Sequence, residues 1–503
     1  MREVKEMRME LLQQLKRYMG EANMAGAARC AQRLHQVLPD KGDLMNNGVF
    51  VAYGGGKDSS YMVAFVRLIQ LLLFEQYSCT FKVQVATNRH AGMPQAVMDN
   101  IDSVYKALRL YEDPDVETLV IDGQRITAFD RMLPLPEQIR ETNRNDMLMT
   151  GHRCQGDARP TFCNACNLSM VNSFGVALSY GKGPDIIVTG DSPQEQRAYA
   201  RWIKRLVSTF HLPKHAGKDF KTFLRSVDDI SQHYFADIHG DNEEQLQMHR
   251  VAYEGIQKEP LFFSIYEDTP YRAGDHWDLL VQFLGFQFDE LAFSFTESDC
   301  ANPALMAHLR GLKVEQVYGR TYKEGIEEYV AFALQLMRQK DIPEHLIEIA
   351  KDRYRDDEAI QEMRAKISRY TEDVYGLTEE HLVCMVFSPF AERAKNLEQY
   401  LQARRPDLLG RIPAIHALLS AEGAEVADAQ RDLHHLLTAL SGFTLPQLQR
   451  LYQADLVPST LQVQDRLEKS PIAVVRRGDP HQAVIQTRPA PDGEVREEII
   501  TGR

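Results

Sequence analysis

Long apolar runs are missing from this 503-residue chain. The longest, such as the stretch from Val66 to Phe74, fall far short of the roughly 20 residues that a bilayer crossing needs, so no membrane span and no membrane partner are expected. The N-terminus carries charges through every turn and lacks both the uninterrupted apolar core and the small-residue cleavage site of a signal peptide, which reads as a soluble, cytoplasmic protein. Cysteine is scarce. Seven cysteines, an odd number, do not make a disulfide framework in so long a chain, and their clustering points instead to metal ligation in a reducing compartment. Basic residues are outnumbered, 58 Lys and Arg against 71 Asp and Glu, and a formal charge of -13 weighs against extended binding to a phosphate backbone. No repeat period is found. What is present, 44% hydrophobic and 26% charged residues, is the composition of a globular chain and excludes a disordered or fibrous one.

The order of patterns predicts an α/β protein with helical regions at both ends. Residues 1–47 read as a helical N-terminal extension, two amphipathic helices with a break at Met19-Gly20. From Gly48 short apolar runs alternate with helical stretches: GVFVAY, a helix from about 59 to 76, FKVQVAT, a helix near 94–109, then VETLVID. This is the rhythm of β-α-β units on a parallel sheet. A helix over 167–180 and the strand DIIVTG over 185–190 continue it, LFFSIYE at 261–267 adds a further strand, and the core region extends over 48–315. Residues 316–460 read as a helical domain, and 461–503 as a tail of short strands and turns, with PIAVVRR and QAVIQTRP flanking GDPH.

The most informative segment is GVFVAYGGGKDSSYMVAFVRL, residues 48–68. A strand runs into three glycines, a Lys, an Asp and two serines, and then directly into a helix. Glycines let the backbone approach closely, exposed N–H groups converge on oxygen, and the helix N-terminus favours negative charge, so a phosphate belongs there. An ordinary glycine-rich turn is the plainer alternative. The segment is neither a Walker A sequence nor the three-glycine dinucleotide pattern. Gly54-Gly55-Gly56-Lys57-Asp58-Ser59 instead resembles the pyrophosphate loop of the N-type ATP pyrophosphatases, the PP-loop superfamily, whose pattern is Ser-Gly-Gly-x-Asp-Ser after the first strand. Gly54 departs from it by standing where the first serine would be.

The resemblance implies an adenine-nucleotide alpha-hydrolase-like (PP-loop) core that binds ATP and Mg2+. On this reading Tyr53, Gly54, Gly55, Gly56, Ser59 and Ser60 cradle the nucleotide, and Asn88 in VATNRH contacts the adenosine side. Gly190 and Ser192 in IIVTGDSPQEQ face the phosphates, and Lys57, Asp58 and Asp191 carry catalysis, the two aspartates as hard-oxygen ligands for Mg2+. A helix N-cap is the alternative for Asp191. Such enzymes cleave ATP between the α and β phosphates and adenylate a carbonyl or carboxylate oxygen, which sulfur or nitrogen then displaces.

A second constellation, GHRCQGDARPTFCNACN, places Cys154, Cys163 and Cys166 with an eight-residue gap and then CxxC, and Cys300 is the candidate fourth thiolate. Four cysteines closed around Zn2+ make a structural staple, whereas three holding a [4Fe-4S] cluster leave an iron open for sulfur. The order CxxC, VTGDS, KEPLFFSIYED and Cys300 resembles the iron-sulfur-dependent tRNA thiolases, although Gln194-Glu195 replaces their doubled aspartate. The spacing of the three cysteines is similar to the zinc site of the deazaguanine nitrile synthases. Cys30, Cys79 and Cys384 read as buried packing residues, and His152, His211 and His215 as structural.

Charge supplies the third feature. Arg197, Arg201, Lys204, Arg205, Lys214, Lys218, Lys221 and Arg225 form a basic stretch directly after the phosphate-facing strand, suited to an anionic acceptor, either a small molecule or a short RNA region. A solvated helix face is the alternative. The expected function is ATP-dependent adenylation followed by sulfur insertion, with a sulfur-donor protein as partner. The alternatives are an amide or nitrogen ligase with structural zinc and a nitrogen donor, or a nucleotide-binding scaffold without turnover; a homo-oligomer is compatible with each.

Overall fold

The first strand, β1 (Gly48–Ala52), is apolar on both sides, and its alternation sets the layers: Val49 and Val51 enter one core while Phe50 enters the other. The computed structural model describes residues 2–190, 193–269, 276–291, 303–339, 342–421, 430–457, 470–476, 482–490 and 492–501. With β2 (Lys82–Asn88), β3 (Val116–Asp122), β4 (Arg125–Ala128), β5 (Ile186–Val188) and β6 (Leu261–Phe262), β1 forms a six-stranded sheet in the order β4-β3-β2-β1-β5-β6. All neighbours are parallel except β3 and β4. The fold is α/β with a mostly parallel sheet, as the β-α-β rhythm predicts.

Helices α1 (Arg2–Val37), α2 (Lys57–Tyr77) and α3 (Gln95–Ala107) cover one face. The other carries α4 (Glu137–Arg153), α5 (Ala158–Ser179), α6 (Pro193–Thr209) and α7 (Phe220–His239). The division follows from handedness. The chain moves one way through β1, β2 and β3, then steps back past β1 to β5, and right-handed crossovers put helices on opposite faces for the two directions. A short helix, α8 (Glu243–Met248), follows α7.

The N-terminal helices form one element broken at Gly20, where φ is 70° and ψ 166°. Ion pairs, buried at Arg8 and partly exposed at Arg33, pin this element to the sheet layer. Arg8 reaches Asp113 at 2.5 Å and Asp115 at 2.6 Å, Arg67 of α2 joins Asp113 at 2.8 Å, and Arg33 reaches Asp268 at 2.8 Å.

Beyond residue 302 come α9 (Pro303–Gln316), α10 (Tyr322–Gln339), α11 (Glu344–Asp352), α12 (Asp357–Tyr375), α13 (Glu379–Phe387) and shorter helices as far as Gln453. Their apolar residues are continuous with the core on the second face of the sheet, one cluster joining Phe50, Ala86 and Ile187 to Met385, Leu451 and Ile472. A hairpin of β7 (Gln482–Thr487) and β8 (Arg496–Thr501) is tied to α9 by Arg310 and Glu498 at 2.5 Å. Among the described residues no helix is long and apolar enough to cross a membrane.

Three local expectations are corrected. The run PIAVVRR, expected as a strand, is helical over Pro471–Arg476, because Ile472 and Val475, three residues apart, are both buried in the helical core and packing overrides β propensity. LFFSIYE is a strand only over Leu261–Phe262; Ser264 then accepts the amide of Tyr266 and starts a tight turn. Cys30 and Cys384 are buried, but Cys79 is only half-buried.

Candidate active site at the end of the first strand

In an open sheet whose strand order reverses, ligands bind outside the carboxyl ends of the strands at the reversal. That point lies between β1 and β5, and the two glycine segments lie there: Gly54–Gly56 leaves β1 and Gly190 follows β5. Gly55 has φ +79°, and a Cβ on it would stand 2.6 Å from Val97 Cγ1 and 3.0 Å from Ile101 Cδ1, so α3 supports the turn from beneath. Above, the space is open. Gly54 and Gly190 are exposed, and a Cβ on either would meet nothing within 4 Å. Gly56 is the N-cap of α2 and no side chain caps that helix, which leaves its first N–H groups to an anion.

The predicted loop residues separate into two groups. Tyr53 and Ser60 are 1% and 0% exposed, with the tyrosine hydroxyl 2.8 Å from Ser60 Oγ, which in turn donates to Gly56 O at 2.8 Å. Their side chains brace the loop from behind, because both hydroxyls are satisfied inside the protein; burial pushes the Tyr53 hydroxyl pKa up. Ser59 is partly exposed and donates to Gly56 O at 3.1 Å. Lys57 is buried with its ammonium 2.6 Å from Asp58 Oδ1, and the Asp58 side chain is 27% exposed, at the mouth of the turn. Asn88 ends β2, half-buried, and its side chain makes no hydrogen bond among the described residues. Asp191 and Ser192 lie outside the described residues.

Comparison with protein-family models, with curated proteins and with solved structures finds no match.

The cysteine segment lies on the second face. Cys154 caps α4 and is fully buried, in a turn closed by Gly156 N donating to Gly151 O at 2.8 Å. A Cβ on Gly156 would lie 2.7 Å from Val386 Cγ1, so α13 covers this turn. Cys163 and Cys166 fall three residues apart within α5, but their side chains, like the whole of Cys300, lie outside the described residues. Nearby His152 is fully buried with neither ring nitrogen partnered among the described residues, and burial, with a smaller contribution from His381, lowers it to about 3, which keeps it neutral. His211 is exposed at φ 54°, and His215 pairs with Asp229 at 2.7 Å.

Only the first half of the basic stretch lies on α6, which starts just beyond Gly190; Lys214 and Lys218 fall between α6 and α7, and Lys221 and Arg225 belong to α7. Arg197, Arg201, Lys204 and Arg205 recur at helical spacing, all exposed, and make no ion pair or hydrogen bond among the described residues. Lys221 is engaged, donating to Glu254 O at 3.1 Å.

One cluster has no signature in the sequence. Asp146 of α4, His239 at the end of α7 and His249 after α8 bring one carboxylate oxygen and two imidazole nitrogens within 4.8 Å of one another. Asp146 Oδ1 lies 2.6 Å from His239 Nε2 and 3.0 Å from His249 Nε2. The residues are 93 and 103 positions apart, so no spacing rule reveals them.

Proposed function

We propose that the chain is a PP-loop ATP pyrophosphatase that adenylates a carbonyl or carboxylate oxygen of an anionic acceptor. The observation that carries this reading is the coincidence of the glycine turn, the uncapped start of α2 and the reversal of strand order at the end of β1. Preorganised backbone donors there suit the charge that builds on a departing pyrophosphate. The acceptor oxygen would attack the α phosphorus, and the bond to the β phosphate would break with its electrons leaving on pyrophosphate. A sulfur or nitrogen nucleophile would then displace AMP from the activated carbon.

Asp58 offers a partly exposed carboxylate at the turn, a fitting ligand for Mg2+ carried in with the nucleotide, which supplies charge neutralisation on the phosphates. Lys57 holds that carboxylate in place through its 2.6 Å contact. Sulfur insertion is the preferred second half-reaction on the resemblance of motif order to the tRNA thiolases; the described side chains include only Cys154 of the expected ligands, so no step is assigned to a cluster.

The test is titration of the full chain with ATP and Mg2+, with product analysis. Asp58→Asn is expected to keep the circular dichroism of the native chain while weakening Mg2+-dependent ATP binding by about 10-fold or more, the cost of losing a charged contact of about 1.4 kcal/mol or more. Unchanged Mg2+-dependent affinity in Asp58→Asn would refute its role, and ADP rather than AMP as product would refute the reaction class.

A further inference from the structure

We propose that Asp146, His239 and His249 bind a single divalent transition-metal ion of the Zn2+ or Fe2+ class, at a site distinct from both the glycine loop and the cysteines. This site goes beyond the nucleotide reading and does not depend on it.

The donor set is two imidazole nitrogens and one carboxylate oxygen. Three protein ligands with a position left for water or substrate is the arrangement of catalytic zinc sites, and two histidines with one carboxylate is also a known frame for non-haem iron. The site is enclosed: Asp146 is 4% exposed, His249 6%, and the His239 side chain 3%. A buried carboxylate needs a counter-charge. No Lys or Arg pairs with Asp146 among the described residues, because the nearby arginines are committed elsewhere. Arg153 is bound to Asp237, and Arg250 to Asp228 at 2.7 Å. A divalent cation held between the three donors offsets the charge of that carboxylate.

His249 and the helix that carries Asp146 are held by contacts outside the cluster. Ser231 Oγ donates to His249 O at 2.8 Å, and Asp228 Oδ1 accepts the Val251 amide at 2.7 Å, fixing the loop that carries His249 against α7. The Phe235 ring stacks on the His249 imidazole. One turn before Asp146, Asn143 Oδ1 accepts the Ala91 amide at 2.9 Å, which ties α4 to the loop leaving β2. Gln124 after β3 donates to Arg250 O at 2.6 Å. These contacts place the cluster at the carboxyl edge of β2 and β3, the same edge as the glycine loop but on the far side of β2. In the loop leaving β2, His90 Nδ1 accepts the Gly92 amide at 3.1 Å.

The test separates this site from any cysteine site. The full chain carrying Cys163→Ser and Cys166→Ser is stripped with chelator, titrated with Co2+, and, in parallel, assayed for Zn and Fe as purified. One metal per chain is expected, with visible Co2+ bands and no near-ultraviolet thiolate charge transfer. Adding His249→Gln or Asp146→Asn is expected to weaken Co2+ binding by more than about 100-fold, since outer-shell changes alone cost about 10- to 100-fold. Absence of metal binding by the chelator-stripped double-serine chain, or thiolate charge transfer in its spectrum, overturns the proposal. So does retention of one tightly bound metal by both ligand variants. The Co2+ titration of the chain with its three ligands intact decides the matter even where a ligand variant does not fold.

Discussion

Gly55→Ala tests whether the turn after β1 is built around a glycine for backbone reasons. At φ +79° an alanine pays about 1 to 2 kcal/mol for the left-handed conformation. Its Cβ would also sit 2.6 Å from Val97 Cγ1 and 3.0 Å from Ile101 Cδ1. Overpacking of this kind adds about 1 to 3 kcal/mol, for a total near 2 to 5 kcal/mol if the loop keeps its place. If the loop moves instead, less stability is lost but the N–H groups lose their alignment. The assay is equilibrium urea denaturation beside titration with ATP and Mg2+. Gly54→Ser is the matched control: its Cβ meets nothing within 4 Å and its φ is not positive, so stability is expected to change by less than about 0.5 kcal/mol. It also restores the serine of the PP-loop pattern, and ATP affinity is expected to hold or rise. A Gly55→Ala chain as stable as the native one with undiminished ATP binding, or a Gly54→Ser chain as damaged as Gly55→Ala, would refute the reasoning.

Asp113→Ala is expected to destabilise the chain by about 3 to 5 kcal/mol in urea denaturation, because it leaves Arg8 and Arg67 buried at 4% and 2% exposure without their shared carboxylate. Burial would raise Asp113, but Arg8 and Arg67 pull it down to about 2. The folded pKa is therefore below the unfolded value, so this stabilisation is present above about pH 4 and is lost as pH falls toward 2, about 2 kcal/mol in all; a stability profile over that window that is identical in Asp113→Asn would refute the assignment. Reversing Arg201 and Arg205 to Glu removes no partner among the described residues, so stability should change by less than about 0.5 kcal/mol while elution from a polyanion resin moves to lower salt. Unchanged elution would show that this face of α6 does not receive anions.

Features carried by contiguous residues are legible in the chain's own pattern. The strand, glycine turn and helix of residues 48–68 are local, each signalled by its own period or by φ-permissive residues, and they stand where expected. The places of Tyr53 and Ser60 within that loop are equally legible, but their direction is not. Both are polar residues in a polar motif, and only the packing of α2 against β1 turns their hydroxyls inward. PIAVVRR misleads for a related reason: β-branched residues favour strands in isolation, yet burial of Ile472 and Val475 on one side decides for helix.

Periodicity and short-range backbone chemistry are written in neighbouring residues, and they suffice for the α/β alternation, the glycine turn and the local basic face of α6. Long-range packing is needed for the rest. It joins the N-terminal helices to the sheet through Arg8 and Arg33, and it makes the C-terminal helices continue the second core. It also brings Asp146, His239 and His249 together. Three elements that pack on the same face meet at the edge of the sheet, and the proximity of their side chains follows from crossover handedness and helix packing, which no spacing along the chain encodes.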